Sequence, residues 1–401
     1  MTNPLQGLRV LELGQVLAGP FAGVIFADLG AEVIKLERPD GGDDARRMGP
    51  PFGASPDGVS QADALIFHVF NRGKQSVALD LKSVDGKAGF ERLLASSDIF
   101  LHNLRPDVPR ALGIDGPTLC ARHPRLVYCE ISTFGNTGPM ALQPGYEPLI
   151  QAFSGLSATN GGPLDPPMRS GASLCDQGTG MWAVIGALAL LQRRQQTGRG
   201  GVVSASLLET ALVWNGQKMD ALVNEGRQPE RHRSGHPGFV PYESFDTADE
   251  PLLICCGNDR LFAKLTTALE EPDWASDVRF ATNRARLEHK AALLDLLMPV
   301  LRRRSRAHWL VALEAAGVPC APIHSLPQAR AHPQVEALGM LLPVPGVAGQ
   351  TPLRLTALPL SIDGQRPAHR SRAPALGAHN DLHGLPALVP APIEFKPGDK
   401  P

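Results

Sequence analysis

The chain of 401 residues lacks an excess of charge, a low-complexity bias and a long apolar segment. Its 39 basic and 40 acidic residues nearly cancel, which argues against nucleic acid and anionic membranes as partners. Its 41 glycines and 37 prolines fall short of the share that marks disordered or collagen-like chains. The longest apolar run, Met181 to Leu191, is too short to span a bilayer. The composition therefore predicts a globular protein with no nucleic-acid or membrane partner.

The six cysteines show no C-x-x-C spacing. A chain of this length buries enough surface to fold without disulfides, so we predict free thiols and neither a disulfide framework nor a zinc site. The first twenty residues have no cationic segment, and Glu12 interrupts their apolar run, which argues against a signal peptide. We expect a cytoplasmic protein.

Several common catalytic motifs are absent from the sequence. There is no H-E-x-x-H, P-loop or EF-hand pattern, and the twelve histidines have no ligand spacing. The segment nearest to a G-x-S-x-G elbow, Gly171 to Cys175, ends in cysteine, which argues against a typical α/β hydrolase. We therefore predict no metal site.

The first forty residues have the pattern of a β-strand, a helix and a second β-strand. Leu8–Leu13 reads as a strand, Phe21–Leu29 as a helix that follows Gly19-Pro20, and Ala31–Leu36 as a strand. Such a unit implies a parallel sheet with a right-handed crossover. Four later segments also read as strands of this sheet: 76–79, 98–101, 126–131 and 202–208. A largely apolar helix is predicted over 176–194.

The fold class is therefore α/β, with a large parallel-sheet domain and a smaller α/β domain. The predicted bounds follow the change from regular to polar segments along the chain. They are 1–223 for the first part of the large domain, 224–238 for a linker, 239–325 for the small domain, 326–384 for a segment that returns to the sheet, and 385–401 for a proline-rich tail.

The βαβ unit suggests a nucleotide site, although its glycines do not match G-x-G-x-x-G. Gly14, Gly19 and Gly23 have the spacing G-x4-G-x3-G. Arg38, next to Glu37 at the end of the second strand, is placed to meet the phosphate of a phosphorylated ribose. That phosphate would be the 2′-phosphate of a dinucleotide or the 3′-phosphate of coenzyme A; an ordinary surface arginine is the alternative.

Two loops offer further candidate contacts. Asn71, Arg72, Gly73 and Lys74 form a basic loop that could receive a phosphate, with a solvated basic turn as the alternative. Asn103-Leu104 follows a strand at its carboxyl end, where open α/β sheets bind their ligands.

Asp176 is the candidate nucleophile. It directly precedes the apolar helix, where an aspartate commonly caps the helix. A helix N-terminus also favours an ionised carboxylate, which is the nucleophilic form in enzymes that make acyl-aspartate intermediates. The position is compatible with both roles.

Taken together, the segments of this chain resemble family III CoA-transferases (the CaiB/BaiF family), which include formyl-CoA transferase and carnitine CoA-transferase. The resemblance extends from about Pro4 to His379 and depends on the order of many segments. These include GLRVLELGQVLAGPFAG from Gly7, DLGAEVIKLERPDGGDDAR from Asp28, NRGKQSVALDLK from Asn71, HNLRP from His102, GYEPLIQAFSG from Gly145, CDQGTG from Cys175, TGRGGVVSASLLE from Thr197, GVPCAP from Gly317 and LGAHN from Leu376.

The resemblance implies a Rossmann-like large domain, completed by the C-terminal segment, and two subunits interlocked as a homodimer. It implies that coenzyme A moves from an acyl-CoA to a small carboxylic acid through an aspartyl-CoA thioester on Asp176. Residues that would contact coenzyme A share positions with the family's motifs: Val16, Arg38, Asn71, Arg72, Gly73, Lys74, Asn103, Leu104, Arg110 and Ser132 to Gly135. Gln15, Tyr146 and Glu147 would lie near the substrate.

One position departs from the family pattern, and a second segment bears on the type of reaction. Ala111 stands where relatives often have an arginine, and Arg110 lies one position earlier. The related α-methylacyl-CoA racemases have Gly-His-Asp where this chain has Gly145-Tyr146-Glu147, and tyrosine is a poor acid or base near neutral pH. This favours a transferase over a racemase or isomerase. A protein that binds a nucleotide or CoA without catalysis is the remaining alternative.

Overall fold

The computed structural model describes residues 3–53, 62–346 and 351–387, which form two compact units. The larger unit comprises Met1–Ser154, Ser170–Gly216 and Leu338–Pro401; the smaller comprises Gly155–Arg169 and Gln217–Ala337. The sequence placed the end of the first part of the large domain at 223, a few residues after Gly216. It placed the start of the segment that returns to the sheet at 326, before Leu338. The segment 155–169, which the sequence analysis left in the large domain, groups with the smaller unit.

The larger unit is mixed α/β. Its central strands are β1 Arg9–Leu13, β2 Glu32–Glu37, β3 Gln75–Ala78, β4 Ile99–His102, β5 Val127–Ser132 and β6 Gly201–Ser206. Its helices are α1 Ala18–Asp28, α2 Leu65–Asn71, α3 Val84–Ala95, α4 Asp107–Leu112, α5 Gly116–Arg122, α6 Glu147–Phe153, α7 Leu174–Thr197 and α8 Leu207–Trp214. A short 3-10 helix spans Asp44–Arg47.

The six strands form one parallel sheet in the order β3-β2-β1-β4-β5-β6. The order reverses between β1 and β4, because the chain crosses from one half of the sheet to the other after β3. Open α/β sheets bind ligands at such a reversal, outside the carboxyl ends of the strands. The predicted parallel sheet and its opening βαβ unit are confirmed, and they direct attention to the loops that follow β1 and β4.

The β1–α1–β2 unit forms because most of its residues are buried and the majority of these are apolar. Four of the five residues of β1 and ten of the eleven of α1 are buried. Gly30 follows α1 with φ +107°, a backbone conformation that glycine adopts readily and other residues do not. This glycine lets the chain turn directly from the helix into β2.

Charged side chains are nevertheless buried in the centre of this unit. Lys35 Nζ lies 3.1 Å from Glu12 Oε1, and Lys74 Nζ lies 2.6 Å from Glu12 Oε2, with all three side chains fully buried. Gly23 of α1 makes room for them, because a Cβ atom there would come within 1.8 Å of Glu12 Oε2. The helix can therefore cover the ion pairs only with glycine at this position.

Helix α7 is the longest helix, with 24 residues. By length and composition it is apolar enough to cross a membrane, but it packs against α1, β5 and β6. Gly180 permits the close crossing with α1, since a Cβ there would approach the Ala18 carbonyl oxygen to 2.9 Å. The crossing places the start of α7 beside the loop that follows β1.

The smaller unit has its own three-stranded antiparallel sheet and apolar core. Its helices are α9 Gly216–Glu225, which begins one residue before the unit, α10 Asp259–Ala268, α11 Asn283–Glu288, α12 Lys290–Leu301, α13 Arg306–Ala316, α14 Leu326–Ala331 and α15 Pro333–Ala337. Its strands, in the order β7-β8-β9, are β7 Tyr242–Phe245, β8 Leu252–Cys255 and β9 Cys320–Pro322. Arg286 is fully buried and donates to the carbonyl oxygens of Val240 and Phe280.

The C-terminal segment returns to the larger unit. It forms a small hairpin, β10 Leu341–Pro343 with β11 Arg354–Thr356. Further on, the Asn380 side chain accepts a hydrogen bond from the backbone of Ala78 and donates one to its carbonyl oxygen, at 2.9 and 3.2 Å. Gly377 N donates to Ser76 Oγ. Residues near the end of the chain thus complete the β3 edge of the sheet. Only 385–387 of the predicted tail lie within the described residues.

Candidate active site

A cavity of about 370 Å³ opens at the carboxyl ends of β1, β4 and β5, and Asp176 is part of its wall. We call it the Asp176 cavity. The loop after β1 lines it with Gln15, Val16 and Leu17, and α6 lines it with Glu147. The remaining lining residues come from the 3-10 helix after β2, from the end of β5, from the segments that follow β4 and β5, and from the start of α1 and α8: Ala18, Asp44, Asn103, Leu104, Arg105, Pro106, Val108, Ile131, Ser132, Thr133, Ala141, Gln143, Pro144, Gly145, Tyr146 and Leu207.

Asp176 lies within the first turn of α7, and the expectation that it caps the helix is wrong. The helix begins at Leu174, with Ser173 in the capping position, so Asp176 is the third helical residue. It stands one helical turn before Gly180, on the side of α7 that crosses α1. The carboxyl group therefore faces the cavity that the β1 loop also lines.

The carboxyl group of Asp176 is not held ionised, contrary to the expectation from its helix position. Burial, and in second place the neighbouring Glu147, raise its pKa from 3.8 to about 7. Removal from water disfavours the charged form, and a second carboxyl group adds to that effect. These two effects outweigh the stabilisation that the helix N-terminus gives to the ionised carboxylate. A carboxyl group with such a pKa in a cavity is a typical candidate for a catalytic role.

Glu147 is buried and fixed by hydrogen bonds. Gln151 Nε2 donates to Glu147 Oε1 at 2.6 Å, one turn along α6. The backbone N–H of Cys175 donates to the same oxygen at 3.4 Å, which ties the start of α7 to α6. These contacts hold the Glu147 carboxyl group next to Asp176. The adjacent Tyr146 lies in the cavity wall with its side chain largely exposed.

The loop after β1 is held in a strained conformation. Val16 has φ +64°, and such a value is rare for a β-branched residue. Its N–H donates to Asp43 Oδ1 at 3.0 Å. The amide of Asn103 accepts from Gln15 N and donates to Gln15 O, both at 2.8 Å. Strained residues that their surroundings hold in place are frequent at functional sites.

A second cavity of about 390 Å³ lies beside the first and contains Arg38. We call it the Arg38 cavity. Gln15, Leu104 and Val108 line both cavities. The Arg38 guanidinium pairs with Asp44, which lines the Asp176 cavity. The two cavities thus adjoin along the ends of β1, β2, β3 and β4.

The residues that follow β3 also belong to the site, although they were not among the predicted site residues. Leu79, Asp80, Leu81 and Lys82 line the Arg38 cavity, and the exposed Lys82 adds a second cation there. Their position at the carboxyl end of a strand is the same feature that pointed to Asn103-Leu104. That rule, applied to β3, would have found them. Arg105, which lies in the segment HNLRP, also lines the Asp176 cavity and was not among the predicted site residues.

The structure does not bring the loop of Asn71 to Lys74 into either cavity. These residues precede β3, at the opposite end of the strand from the Arg38 cavity. Arg72 pairs with Asp28 at 2.7 Å, and Lys74 pairs with Glu12. Gly73, with φ +74°, forms the turn between them. Both charges are already paired inside the fold, so this loop has an internal role and not the predicted contact with a phosphate.

The other predicted residues divide between the two cavities and the surface. Gln15, Val16, Asn103, Leu104, Glu147 and Asp176 meet in the Asp176 cavity. Arg110 is exposed and donates to the Pro106 carbonyl oxygen within its own helix. It is not among the described residues that line either cavity. Ser204 Oγ donates to Glu130 Oε1 at 2.7 Å.

All six cysteines are free thiols, as predicted. Burial raises the pKa of Cys129, Cys175 and Cys256 to about 12, so these thiols stay protonated at neutral pH. In the described part of the chain no group of three or more histidine, cysteine or acidic side chains could hold a metal ion.

The raised pKa of Asp176 predicts that this residue destabilises the protein. Between pH 4 and 7 the folded chain keeps a proton on Asp176 that the unfolded chain releases, so stability falls as pH rises through this window. We expect Asp176→Asn to raise the free energy of unfolding by on the order of 2 kcal/mol at pH 8. The gain should shrink as pH falls towards 4, as measured by denaturant unfolding at several pH values.

The matched control is Asp85→Asn, which removes an exposed acid from the first turn of α3. This variant should show no comparable gain over the same pH range. A gain for Asp176→Asn that does not depend on pH would contradict the interpretation.

The chain is similar to known CoA-transferases along most of its length. The sequence profile of CoA-transferase family III matches residues 5–380. The succinate–glutarate CoA-transferase of Agrobacterium fabrum is 38% identical over 385 residues, which cover 94% of each chain. The acetyl-CoA:oxalate CoA-transferase of Acetobacter aceti is 36% identical over 93% of each chain.

A solved structure has the same fold. The crystal structure of a CaiB/BaiF family protein from Brucella suis superposes with a TM-score of 0.85 at 35% identity, over 95% of this chain and 98% of that one. The sequence match, the parallel six-stranded sheet and this similarity agree with one another. The chain belongs to CoA-transferase family III and is a CoA-transferase.

Proposed function

We propose that this enzyme moves coenzyme A from an acyl-CoA donor to a small carboxylic acid through covalent intermediates on Asp176. The single observation that carries the proposal is the position of Asp176 in a cavity that adjoins the Arg38 cavity. The thioester end of a CoA ester would lie beside Asp176, and its nucleotide end beside Arg38. The strand order β3-β2-β1-β4-β5-β6 supports a Rossmann-like description of the sheet.

The proposed reaction begins with attack of the Asp176 carboxylate on the thioester carbonyl carbon. The C–S bond breaks, CoA leaves as thiolate, and a mixed anhydride forms. The thiolate then attacks the aspartyl carbonyl carbon and expels the donor carboxylate, which leaves an aspartyl-CoA thioester. Each step exchanges one acyl bond for another, so the energy of the thioester is kept.

The second half of the reaction reverses the sequence with another acid. The acceptor carboxylate attacks the aspartyl thioester and expels CoA thiolate, which forms a second anhydride. The thiolate attacks the acceptor's carbonyl carbon, yields the new acyl-CoA and restores the Asp176 carboxylate. Water must be excluded throughout, because it would hydrolyse the anhydrides. The apolar side chains of Val16, Leu17 and Leu207 in the cavity wall support such exclusion.

The environment of Asp176 suits a group that is both nucleophile and leaving group. A carboxylate with a pKa near 7 is more basic than an ordinary aspartate, and so it is a better nucleophile once ionised. Glu147 contributes to this pKa by its charge. We therefore assign Asp176 as the catalytic residue and Glu147 as a residue that tunes it.

Dicarboxylic acids are the acceptors that we propose to test first. The Agrobacterium relative is named for succinate and glutarate, and the Acetobacter relative for acetyl-CoA and oxalate. Because the former is 38% identical along nearly the whole chain, we propose succinyl-CoA with glutarate as the first pair. Acetyl-CoA with oxalate is the second pair.

The decisive experiment is capture of the intermediate. The enzyme would be incubated with succinyl-CoA, treated with hydroxylamine, digested and analysed by mass spectrometry. We expect a hydroxamate on Asp176, and a loss of transfer to glutarate or oxalate by at least about 10³-fold in Asp176→Asn.

Two outcomes would contradict the mechanism. One is full transfer by the Asp176→Asn enzyme without an adduct. The other is exchange of the α-hydrogen of an acyl-CoA in heavy water with no transfer to any acceptor, which would support a racemase. Since Asp176→Asn conserves shape, its loss of activity would reflect the missing carboxylate.

Arg38 and Lys82 are proposed to bind the 3′-phosphate of coenzyme A. Loss of one charge-assisted hydrogen bond should weaken binding of CoA about tenfold or more in Arg38→Ala and in Lys82→Ala. Binding of dephospho-CoA, which lacks that phosphate, should change much less. Calorimetric titration measures both.

The control for this prediction is Arg110→Ala, since Arg110 is exposed and has no place in the lining described for either cavity. It should bind both ligands as the unchanged enzyme does. Equal losses for CoA and dephospho-CoA in the Arg38 and Lys82 variants would argue against the contact.

We also propose that the enzyme is a homodimer, as the resemblance to the family implies. Apolar side chains of α7 and α8 support this: Met181, Trp182, Ile185 and Trp214 are each between 41% and 53% exposed in the single chain. Light scattering should give about twice the chain mass of 42.8 kDa. A monomer at micromolar concentration would contradict the proposal. A cytoplasmic location stays a prediction, with which six free thiols agree.

A further inference from the structure

The turn after β1 is held by more than its immediate neighbours. Val16 has φ +64°, which costs a non-glycine residue on the order of 1–3 kcal/mol. Its N–H donates to Asp43 Oδ1, and Asp43 lies on another loop, 27 residues along the chain. Without this hydrogen bond nothing in the local sequence Gly14-Gln15-Val16 favours the left-handed conformation of valine.

Asp43 is itself fixed from the other side. Its second oxygen, Oδ2, lies 2.9 Å from Lys35 Nζ, and both side chains are at most 1% exposed. Burial acts to raise the pKa of Asp43, but the charge of Lys35 and the hydrogen bonds that the carboxylate accepts together outweigh it, so the pKa falls below its ordinary value. The carboxylate therefore stays ionised in the fold.

Lys35 also holds the residue before the turn. Its Nζ donates to the Gly14 carbonyl oxygen at 2.7 Å and lies 3.1 Å from Glu12 Oε1. One buried ammonium group thus contacts the end of β1 directly and reaches Val16 through Asp43. The Asn103 amide fixes Gln15 from the opposite side.

We propose that Lys35 and Asp43 are positioning residues for catalysis, which hold the Gln15–Val16 turn in its strained form as the wall of the Asp176 cavity. Among the described residues that line the Asp176 cavity neither appears, and Asp43 lines only the adjoining Arg38 cavity; both reach the Asp176 cavity through Val16. The role in catalysis rests on the proposed function, in which the turn faces the reacting thioester. Loss of such a contact displaces the wall, and displacements of about 1 Å can cost 10²-fold in rate.

The chemistry of Asp43 gives a selective variant. Asp43 Oδ1 accepts from Val16 N and from Ala45 N, while Oδ2 faces Lys35. An asparagine has one oxygen and one NH2 group, so it serves the two backbone N–H groups or the lysine but not both. Asp43→Asn therefore breaks the connection between Lys35 and Val16 in either orientation of its amide.

Glycine at position 16 tests whether the connection acts through strain. Glycine adopts positive φ without steric cost, so the turn in Val16→Gly needs no clamp to keep its form. We expect Asp43→Asn to lower kcat by on the order of 10²-fold. In the Val16→Gly/Asp43→Asn double variant we expect recovery of about tenfold. If Asp43 only stabilised the fold, Val16→Gly would not restore the kcat of Asp43→Asn, because this substitution adds no new contact.

Asp28→Asn is the matched control. Asp28 is also a buried carboxylate, paired with Arg72 at 2.7 Å, but it lies at the far end of α1. Its substitution should lower the midpoint of thermal unfolding while kcat changes less than about threefold, and Val16→Gly should not alter its kcat further. Each kcat is measured with succinyl-CoA and glutarate below the unfolding temperature of that variant.

A second measurement needs no substrate. Val16→Gly should raise the midpoint of thermal unfolding in the unchanged enzyme, because it removes strain, and should raise it less in Asp43→Asn, where the turn has already relaxed. Equal shifts in the two backgrounds, or a kcat for Asp43→Asn within threefold of that for Asp28→Asn, would overturn the proposal. If no donor and acceptor pair reacts, the proposed function fails, and the unfolding shifts alone decide whether the turn is clamped.

Discussion

The geometry that we propose for the site depends on the contacts of one buried ammonium group, that of Lys35. It is fully buried between β1 and the loop that follows β2, within 3.1 Å of Glu12, Asp43 and the Gly14 carbonyl oxygen. Burying such charges costs several kcal/mol per ion, and the cost is offset only where each charge has close partners. A hydrophobic core could hold the same strands. It would not fix the direction of the backbone at the end of β1, because dispersion contacts have no preferred orientation.

The carboxyl groups of Asp176 and Glu147 form a different arrangement, because here two acidic groups lie close together. Burial and the charge of Glu147 oppose ionisation of Asp176, so ionised Asp176 costs free energy that the rest of the fold has to supply. Packing of α7 on α1, β5 and β6 is one source. The same region thus contains a cluster of opposite charges, to which we assign a positioning role, and a pair of like-charged groups, to which we assign the chemistry. Only the second would gain stability from a neutral substitution.

Much of the fold follows from patterns in the sequence. Buried parallel strands read as short apolar runs, and β1, β2, β4 and β5 were each predicted within a residue or two of their observed ends. The place of Asp176 at the start of the apolar helix was also predictable, and the structure puts this residue in the wall of a cavity. The pKa of Asp176 could not be predicted, because it depends on burial and on the charge of Glu147, which is 29 positions away and comes close only in the fold.

The loops were harder to predict because two basic segments flank β3. The sequence favoured Asn71 to Lys74, which has more charge, whereas the structure pairs those charges internally and leaves Lys82 at the cavity. The acids that pair with this loop, Glu12 and Asp28, lie more than forty residues earlier in the chain. A sequence pattern therefore identifies a cation but not whether its charge is already paired.

The closure of the sheet by residues 377 to 380 has a consequence for biosynthesis. The edge of β3 pairs with a segment 301 to 303 residues further along the chain. During translation the N-terminal strands emerge first, but their outer edge stays uncovered until nearly the whole polypeptide has left the ribosome. Uncovered edges invite pairing with other chains. Early release of a truncated product, or slow synthesis of the last third of the message, would therefore leave an aggregation-prone intermediate in the cell.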